Sequence, residues 1–226
     1  MREILGKRRR SLLARLRGGG GPRPEAPPAA PARAVAWGWP VLPGAGTRRD
    51  GSCGCPRGAD CPVPGAHPED PGLLAATTDP RMVGWWWTSR PHAPLLLATG
   101  GRAPCALSLP AAVGPAAVAE LARRHVTPGP VVAGPTRWAL LVTPYELPEL
   151  GELLHAQDGV PSSLRFHGAG GYLPLPPSVT AAGGVRWERE PVMEDGRVLL
   201  PGAAELLDVL VAAGTLAPDP GSRLAY

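Results

Sequence analysis

The chain has 226 residues, of which 44% are hydrophobic, and a formal net charge of +4. That length accommodates one domain with a real core plus tails, and the apolar fraction excludes a wholly disordered chain. No apolar run approaches the ~18 residues of a membrane-spanning helix, so a cytoplasmic protein is expected.

Glycine and proline together number 61, but 22 of the 23 basic residues are Arg, with Lys7 alone, as a GC-rich genome would give. The Gly and Pro counts are therefore weak signs of disorder. Charge is uneven. Residues 1–33 hold nine Arg or Lys against Glu3 and Glu25, net +7, which leaves 14 basic and 17 acidic groups elsewhere, net −3. A body that grips nucleic acid is expected to show a basic face, and this mildly acidic remainder argues for a local patch at most.

In chain order, Ile4, Leu5, Leu12, Leu13 and Leu16 recur at helical spacing among Arg2, Lys7, Arg8, Arg9, Arg10, Arg15 and Arg17. Such a basic amphipathic arm suits nucleic acid or anionic membrane, although a solubilising tail is the plainer reading. Arg8-Arg9-Arg10-Ser11-Leu12-Leu13 lacks the apolar stretch of an export signal. Gly18 to Gly21 ends the helical pattern, and a Gly/Pro linker runs to Pro31. The division expected is an arm and linker over 1–33, a main domain over 34–200, and a C-terminal helix and tail over 201–226.

Within the domain the pattern predicts a short helix or strand at Ala34–Trp39, a strand near Val41 and a Gly/Pro/Cys loop over 44–72. A helix over Asp79–Thr88 follows the capping-type Thr78-Asp79-Pro80. Strands are expected at Leu95–Ala98, Cys105–Leu109, Val131–Ala133, Trp138–Val142, Leu164–His167 and Tyr172–Leu175. Helices are expected at Gly114–Arg124, Glu146–Ala156 and Gly202–Ala213, and Trp187 should end a late strand of the same sheet. This mixture indicates an α+β fold, with a mixed or antiparallel central sheet and flanking helices.

Cys53-x-Cys55-x5-Cys61-x5-His67 is the strongest chemical signal, because thiolates and imidazole in sets of four are what Zn²⁺ prefers. It sits in a loop over 50–70 rich in Pro and Gly, where a structural zinc ion would replace a missing core. Cys105 reads as a buried strand residue. The run Trp85-Trp86-Trp87 offers stacking faces to bases, yet on a helix the three rings diverge, and Trp86 is expected in the core. No G-x-S-x-G surrounds Ser108, Ser162, Ser163 or Ser178, so hydrolase chemistry is unsupported. His92 and His125 lack an evident acid or thiol partner. Gly168–Gly171 reads as a hairpin turn and not as a phosphate cradle.

Several segments recur in a telling order: Ala36 to Pro43; the Cys/His cluster ending Gly65-Ala66-His67-Pro68; Ala76-Thr77-Thr78-Asp79-Pro80; Trp86-Trp87; Arg90-Pro91-His92-Ala93; Ala98-Thr99-Gly100; and Gly170-Gly171-Tyr172 through Pro176-Pro177-Ser178. This order resembles the N-terminal catalytic domain of bifunctional DNA primase/polymerases, the prim-pol branch of the archaeo-eukaryotic primase superfamily. It covers roughly residues 34–190.

The resemblance implies a primase/polymerase fold and DNA or nucleotides as partners. It also implies an acidic pair on the strand after Ala-Thr-Gly, a His on a following strand, and a further acid before Gly-Gly-Tyr. Aligned by the resemblance, the pair falls at Leu107 and Leu109, the His at Trp138 and the late acid at or beside Arg165. No Asp or Glu occurs between Asp79 and Glu120.

Without carboxylates, the two divalent ions of nucleotidyl transfer have no holders, so no catalytic residue and no catalytic Mg²⁺ or Mn²⁺ is expected. Asp158, Glu188 and Asp195 are conceivable substitutes that nothing in the sequence brings together. Relatives often carry Gly-Lys-His-Pro at the end of the Cys/His insert, where this chain has Ala66. The expectation is a degenerate prim-pol domain in which Arg137, Arg165 and His167 bind nucleotide or nucleic acid without synthesis. A half-buried structural role is the plainer reading of His167. Two alternatives are a protein-interaction module recruited by its basic arm to an unknown protein partner, and an active polymerase whose acids lie elsewhere.

Overall fold

A computed structural model of the chain describes residues 29–216. The basic arm, most of the linker and the last ten residues lie outside these.

Helix α1 covers Ala29–Ala36, so the end of the expected linker is helical. Pro31 and Ala34 are buried in it, since proline is tolerated in a first helical turn, where no intrahelical N–H bond is lost. Helix α2, Pro80–Ser89, starts as its sequence dictates: Asp79 accepts the Arg81 N–H at 2.8 Å and Pro80 takes the first position. Helices α3 (Gly114–Arg123), α4 (Leu147–His155) and α5 (Ala203–Leu216) follow.

The central layer is an antiparallel five-stranded sheet, ordered β10 (Arg186–Arg189), β4 (Val131–Ala133), β5 (Arg137–Val142), β3 (Cys105–Pro110), β6 (Arg165–His167). Its alternation assigns each residue to one of two cores. Cys105, Leu107, Leu109, Trp138, Leu140 and Val142 face α3, α4 and α5, where they meet Leu121, Leu150, Leu206 and Leu210. Ala106, Val132, Ala139 and Leu141 face the other way. That second core is closed by α1, α2 and a three-stranded antiparallel sheet of β1 (Val41–Pro43), β2 (Leu95–Ala98) and β7 (Tyr172–Leu175). Strands β3 and β5 are buried on both faces, which is why they read as nearly unbroken apolar runs.

The turn after β6 behaves differently from a simple hairpin, because β6 and β7 belong to different sheets. Gly168–Gly171 is a tight turn, with the Gly171 N–H on the Gly168 carbonyl. Thr99 bolts it down: its N–H donates to the Gly171 carbonyl at 3.0 Å and its Oγ1 to the Gly168 carbonyl at 2.7 Å. Gly100, at φ +88°, lies so close that a Cβ there would meet Ala169 Cα at 2.4 Å. Ser178 makes a comparable joint, its buried hydroxyl accepting the Leu95 N–H at 2.7 Å. The Ala98-Thr99-Gly100 and Gly170-to-Ser178 segments are thus the two halves of one structural joint.

Short hairpins complete the chain: β8 (Val179–Thr180) with β9 (Gly183–Gly184), and β11 (Met193–Glu194) with β12 (Arg197–Val198). Trp187 lies on β10, at the edge of the large sheet, its ring edge-on to Trp37 at 6.3 Å.

Candidate cleft and metal centre

A cleft of about 500 Å³ opens on the second face of the large sheet. Its floor is polar: Ser108 from β3, Arg137 from β5, Arg165 and His167 from β6. Register explains this grouping, since Ser108 lies opposite Arg165 and Ala106 opposite His167, and Arg137 closes the pair with Pro110. The walls are Pro62, Val63, Pro64 and Ala66 of the Cys/His loop, Gly171 to Pro174 around β7, and Thr180, Ala182 and Val185 by the small hairpin.

The same alternation turns three positions taken from the resemblance away from the cleft. Leu107 and Leu109 are fully buried on the helix side; Ala106 and Ser108 point to the other face, where Ala106 is sealed in the second core and Ser108 lines the cleft. A one-residue slip in a strand moves every side chain to the opposite face. Trp138 is likewise on the helix side, packed over Gly114, whose hypothetical Cβ would stand 2.5 Å from the ring. Its cleft-facing neighbours are Arg137 and Ala139. No Asp or Glu lines the cleft among the described residues. Asp158 follows α4, Glu188 pairs with Arg186 on β10, and Asp195 occupies the β11–β12 turn; they do not converge.

The floor side chains form a directional chain of hydrogen bonds. Arg137 donates through Nε to Ser108 Oγ at 3.2 Å, and through Nη2 to the Ser108 and Ser163 carbonyls at 2.6 Å each. Ser108 Oγ lies 2.9 Å from His167 Nε2. Burial holds the imidazole down to a pKa of about 4, the charges of Arg137 and Arg165 push the same way, and a hydrogen bond to the Tyr172 backbone opposes them. The ring is therefore neutral at pH 7. Arg137 Nε donates to Ser108 Oγ, so the serine hydroxyl proton is placed to be accepted by Nε2 of the neutral ring. Sequence reasoning named Arg137, Arg165 and His167 but missed Ser108, Ser163 and Thr99. Ser108, the lone hydroxyl in the run Cys105-Ala106-Leu107-Ser108-Leu109, was the available signal.

The Cys/His loop forms one wall of this cleft. Among the described residues, Cys53, Cys55, Cys61 and His67 are the group able to share an ion, their ligand atoms all within 4.8 Å of one another. Cys53 Sγ and Cys61 Sγ each lie 3.3 Å from His67 Nε2, near the ~3.5 Å separation that tetrahedral Zn–S and Zn–N lengths impose. His67 Nδ1 is 2.7 Å from the Pro68 carbonyl, which fixes the tautomer whose Nε2 faces the ion. Burial disfavours the Cys53 thiolate, but N–H donors from Cys55 and Gly65 and the His67 contact outweigh it and bring the thiol down to about 6. Cys61 goes up to about 11, from burial first and then from the neighbouring thiols. Tight backbone packing makes the loop possible: a Cβ on Gly54 would stand 2.1 Å from the Ala45 carbonyl oxygen. The donor set fits a metal such as zinc. Cys105, by contrast, is buried in β3, its thiol pushed up by burial.

The sequence profile of the bifunctional DNA primase/polymerase N-terminal family, Prim-Pol, matches residues 30–204. The chain belongs to the prim-pol family. No curated protein and no solved structure matches it. The match extends from α1 into the start of α5, so both sheets, the cleft and the Cys/His loop lie within the matched span. A larger groove, about 650 Å³, lies beyond β4 between His125–Pro130 and Arg189–Pro201. It mixes His125 and Arg189 with Glu190 and Glu205 and shares no residue with the prim-pol motifs named above. No helix of the described residues is long and apolar enough to cross a membrane.

Proposed function

We propose that this prim-pol domain binds the phosphate of a nucleotide or of a nucleic-acid strand in the cleft and does not carry out nucleotidyl transfer. One observation carries the reading: the residues of β3, β5 and β6 that line the cleft are Ser108, Arg137, Ala139, Arg165 and His167, without a carboxylate. Two-metal catalysis needs acids to hold its ions, whereas guanidinium groups hold phosphate directly. The apolar walls around Val63, Pro64 and Tyr172 suit a base or sugar beside the charged floor. Cys53, Cys55, Cys61 and His67 hold a structural zinc ion that stiffens one wall. The basic arm over 1–33 adds a second, sequence-independent contact to phosphate backbone, and the protein works in the cytoplasm.

Primer extension with Mg²⁺ and with Mn²⁺ tests the reading. No templated product is expected; product above background would establish an active polymerase and overturn it. The acidic balance of the body, net −3 outside residues 1–33, favours a second reading, a protein-interaction module recruited by the arm. That reading expects no affinity for nucleotides or DNA at low salt, and a salt-dependent binding constant removes it.

A further inference from the structure

The three consecutive tryptophans of α2 have separate fates. Trp86 and Trp87 are 5% and 3% exposed, within the second core, whereas Trp85 is 64% exposed. At 100° per residue, Thr88, Arg81, Trp85, Ser89 and Met82 occupy one continuous arc of about 120° with Trp85 at its middle. All five are exposed. Arg81 precedes Trp85 by four residues, the spacing at which side chains meet on a helix surface.

The local charge is one-sided. From Pro80 to Ala119 the chain has Arg81, Arg90 and Arg102 and no carboxylate. The acid that precedes this stretch, Asp79, caps the start of α2. An open indole face, a cation one turn away and no acid on the arc itself make up the chemistry of single-strand binding surfaces, where aromatic faces stack on bases and basic groups follow the backbone. The arc is convex, so a free nucleotide would gain a single stack from it. A continuous strand would gain that stack in addition to its other contacts.

We infer that Trp85 is a stacking platform for an unpaired base of single-stranded nucleic acid, with Arg81 beside the neighbouring phosphate. This rests on the nucleic-acid form of the function proposed above. It adds a site that is not part of the cleft.

The test is fluorescence anisotropy of a labelled oligo-dT against the full chain at low salt, with nucleotide binding measured in parallel. Trp85→Ala should weaken oligo-dT binding about tenfold, Trp85→Phe should retain most of the affinity, and Trp85→Leu should behave like Ala. Arg81→Ala should lower the salt slope by about one. Nucleotide affinity should be unchanged in all four. If oligo-dT binds and neither Trp85→Ala nor Trp85→Leu weakens it, the platform is refuted while the cleft reading stands. If neither oligo-dT nor nucleotide binds the unmodified chain, both fall. If Trp85→Ala converts a dimer to a monomer in light scattering with oligo-dT affinity unchanged, the face is an interface between copies and the proposal is overturned.

Discussion

The Cys/His loop and the cleft floor lie against each other, and they treat cations in opposite ways. The loop brings three thiols and an imidazole within 4.8 Å, with backbone N–H and carbonyl groups orienting them. The floor brings two arginines and a neutral imidazole together, with no carboxylate lining it among the described residues. A metal in the loop would add to the few backbone hydrogen bonds that hold this wall, such as Ala181 N–H on the Pro64 carbonyl and Gly46 N–H on the Gly65 carbonyl. A metal on the floor would serve only chemistry.

The comparison breaks most readily at the face assignment of β3. Leu107→Asp or Leu109→Asp puts a charge into the sealed helix-side core and should cost more than about 4 kcal/mol, enough to abolish a cooperative thermal transition. Ser108→Asp places its carboxylate beside Arg137 and should stay within about 2 kcal/mol of the parent. Equal damage from the two classes in chemical denaturation would mean that the cleft-facing residues have been misassigned.

The loop half is sharpened by metal removal. Purified protein should carry one equivalent of zinc, and Cys53→Ser with Cys61→Ser should lose it. The segment 44–68 should then become protease-sensitive, while the far-UV circular dichroism of the sheets persists. Loss of nucleotide affinity in that variant would tie the wall to the cleft. If zinc content is zero in the parent and the loop still resists protease, the metal centre is disproved.

The floor half has its own pH signature. The folded His167 pKa of about 4 lies below the unfolded value of about 6.5. Between those values the unfolded chain binds more protons, so stability is full above pH 6.5 and falls with decreasing pH until it levels near 4. The expected loss is on the order of 3 kcal/mol across that window. Arg137 and Arg165 are the charges beside the ring. His167→Gln should flatten the slope in urea titrations at pH 7 and pH 4.5; an unchanged slope would mean that other groups cause it.

Most elements were legible because each carried its own local signal. Asp79-Pro80 set the start of α2, and the apolar runs of β3 and β5 were long enough to read as strands. What the sequence withheld was facing. In a strand buried on both sides, Leu107 and Ala106 look equally apolar, so periodicity could not say which met the helices and which met the second core. The divergence of β6 and β7 into different sheets was hidden for a related reason: Thr99 and Gly168 are 69 positions apart, and no local pattern announces their bond. The metal ligands were readable since Cys and His at close spacing have few other uses.

The smallest expected effect concerns the seam between the two regions. Ala66 lines the cleft and immediately precedes the candidate ligand His67, so a Lys at this position would place a cation on the rim. Ala66→Lys should therefore strengthen binding of a phosphorylated ligand severalfold, about 1 kcal/mol at low salt, and should steepen the salt dependence of DNA binding by about one. The gain should fade as salt rises, because a rim charge is screened within a Debye length of about 8 Å at physiological ionic strength. Zinc content must match the parent for the comparison to count. If nucleotide affinity does not respond to charge at position 66 while Arg137→Ala abolishes it, the phosphate sits deep on the floor and the loop is only a wall. If the lysine helps and Arg137→Ala does not harm, the anion is held by the rim and the floor arginines are structural.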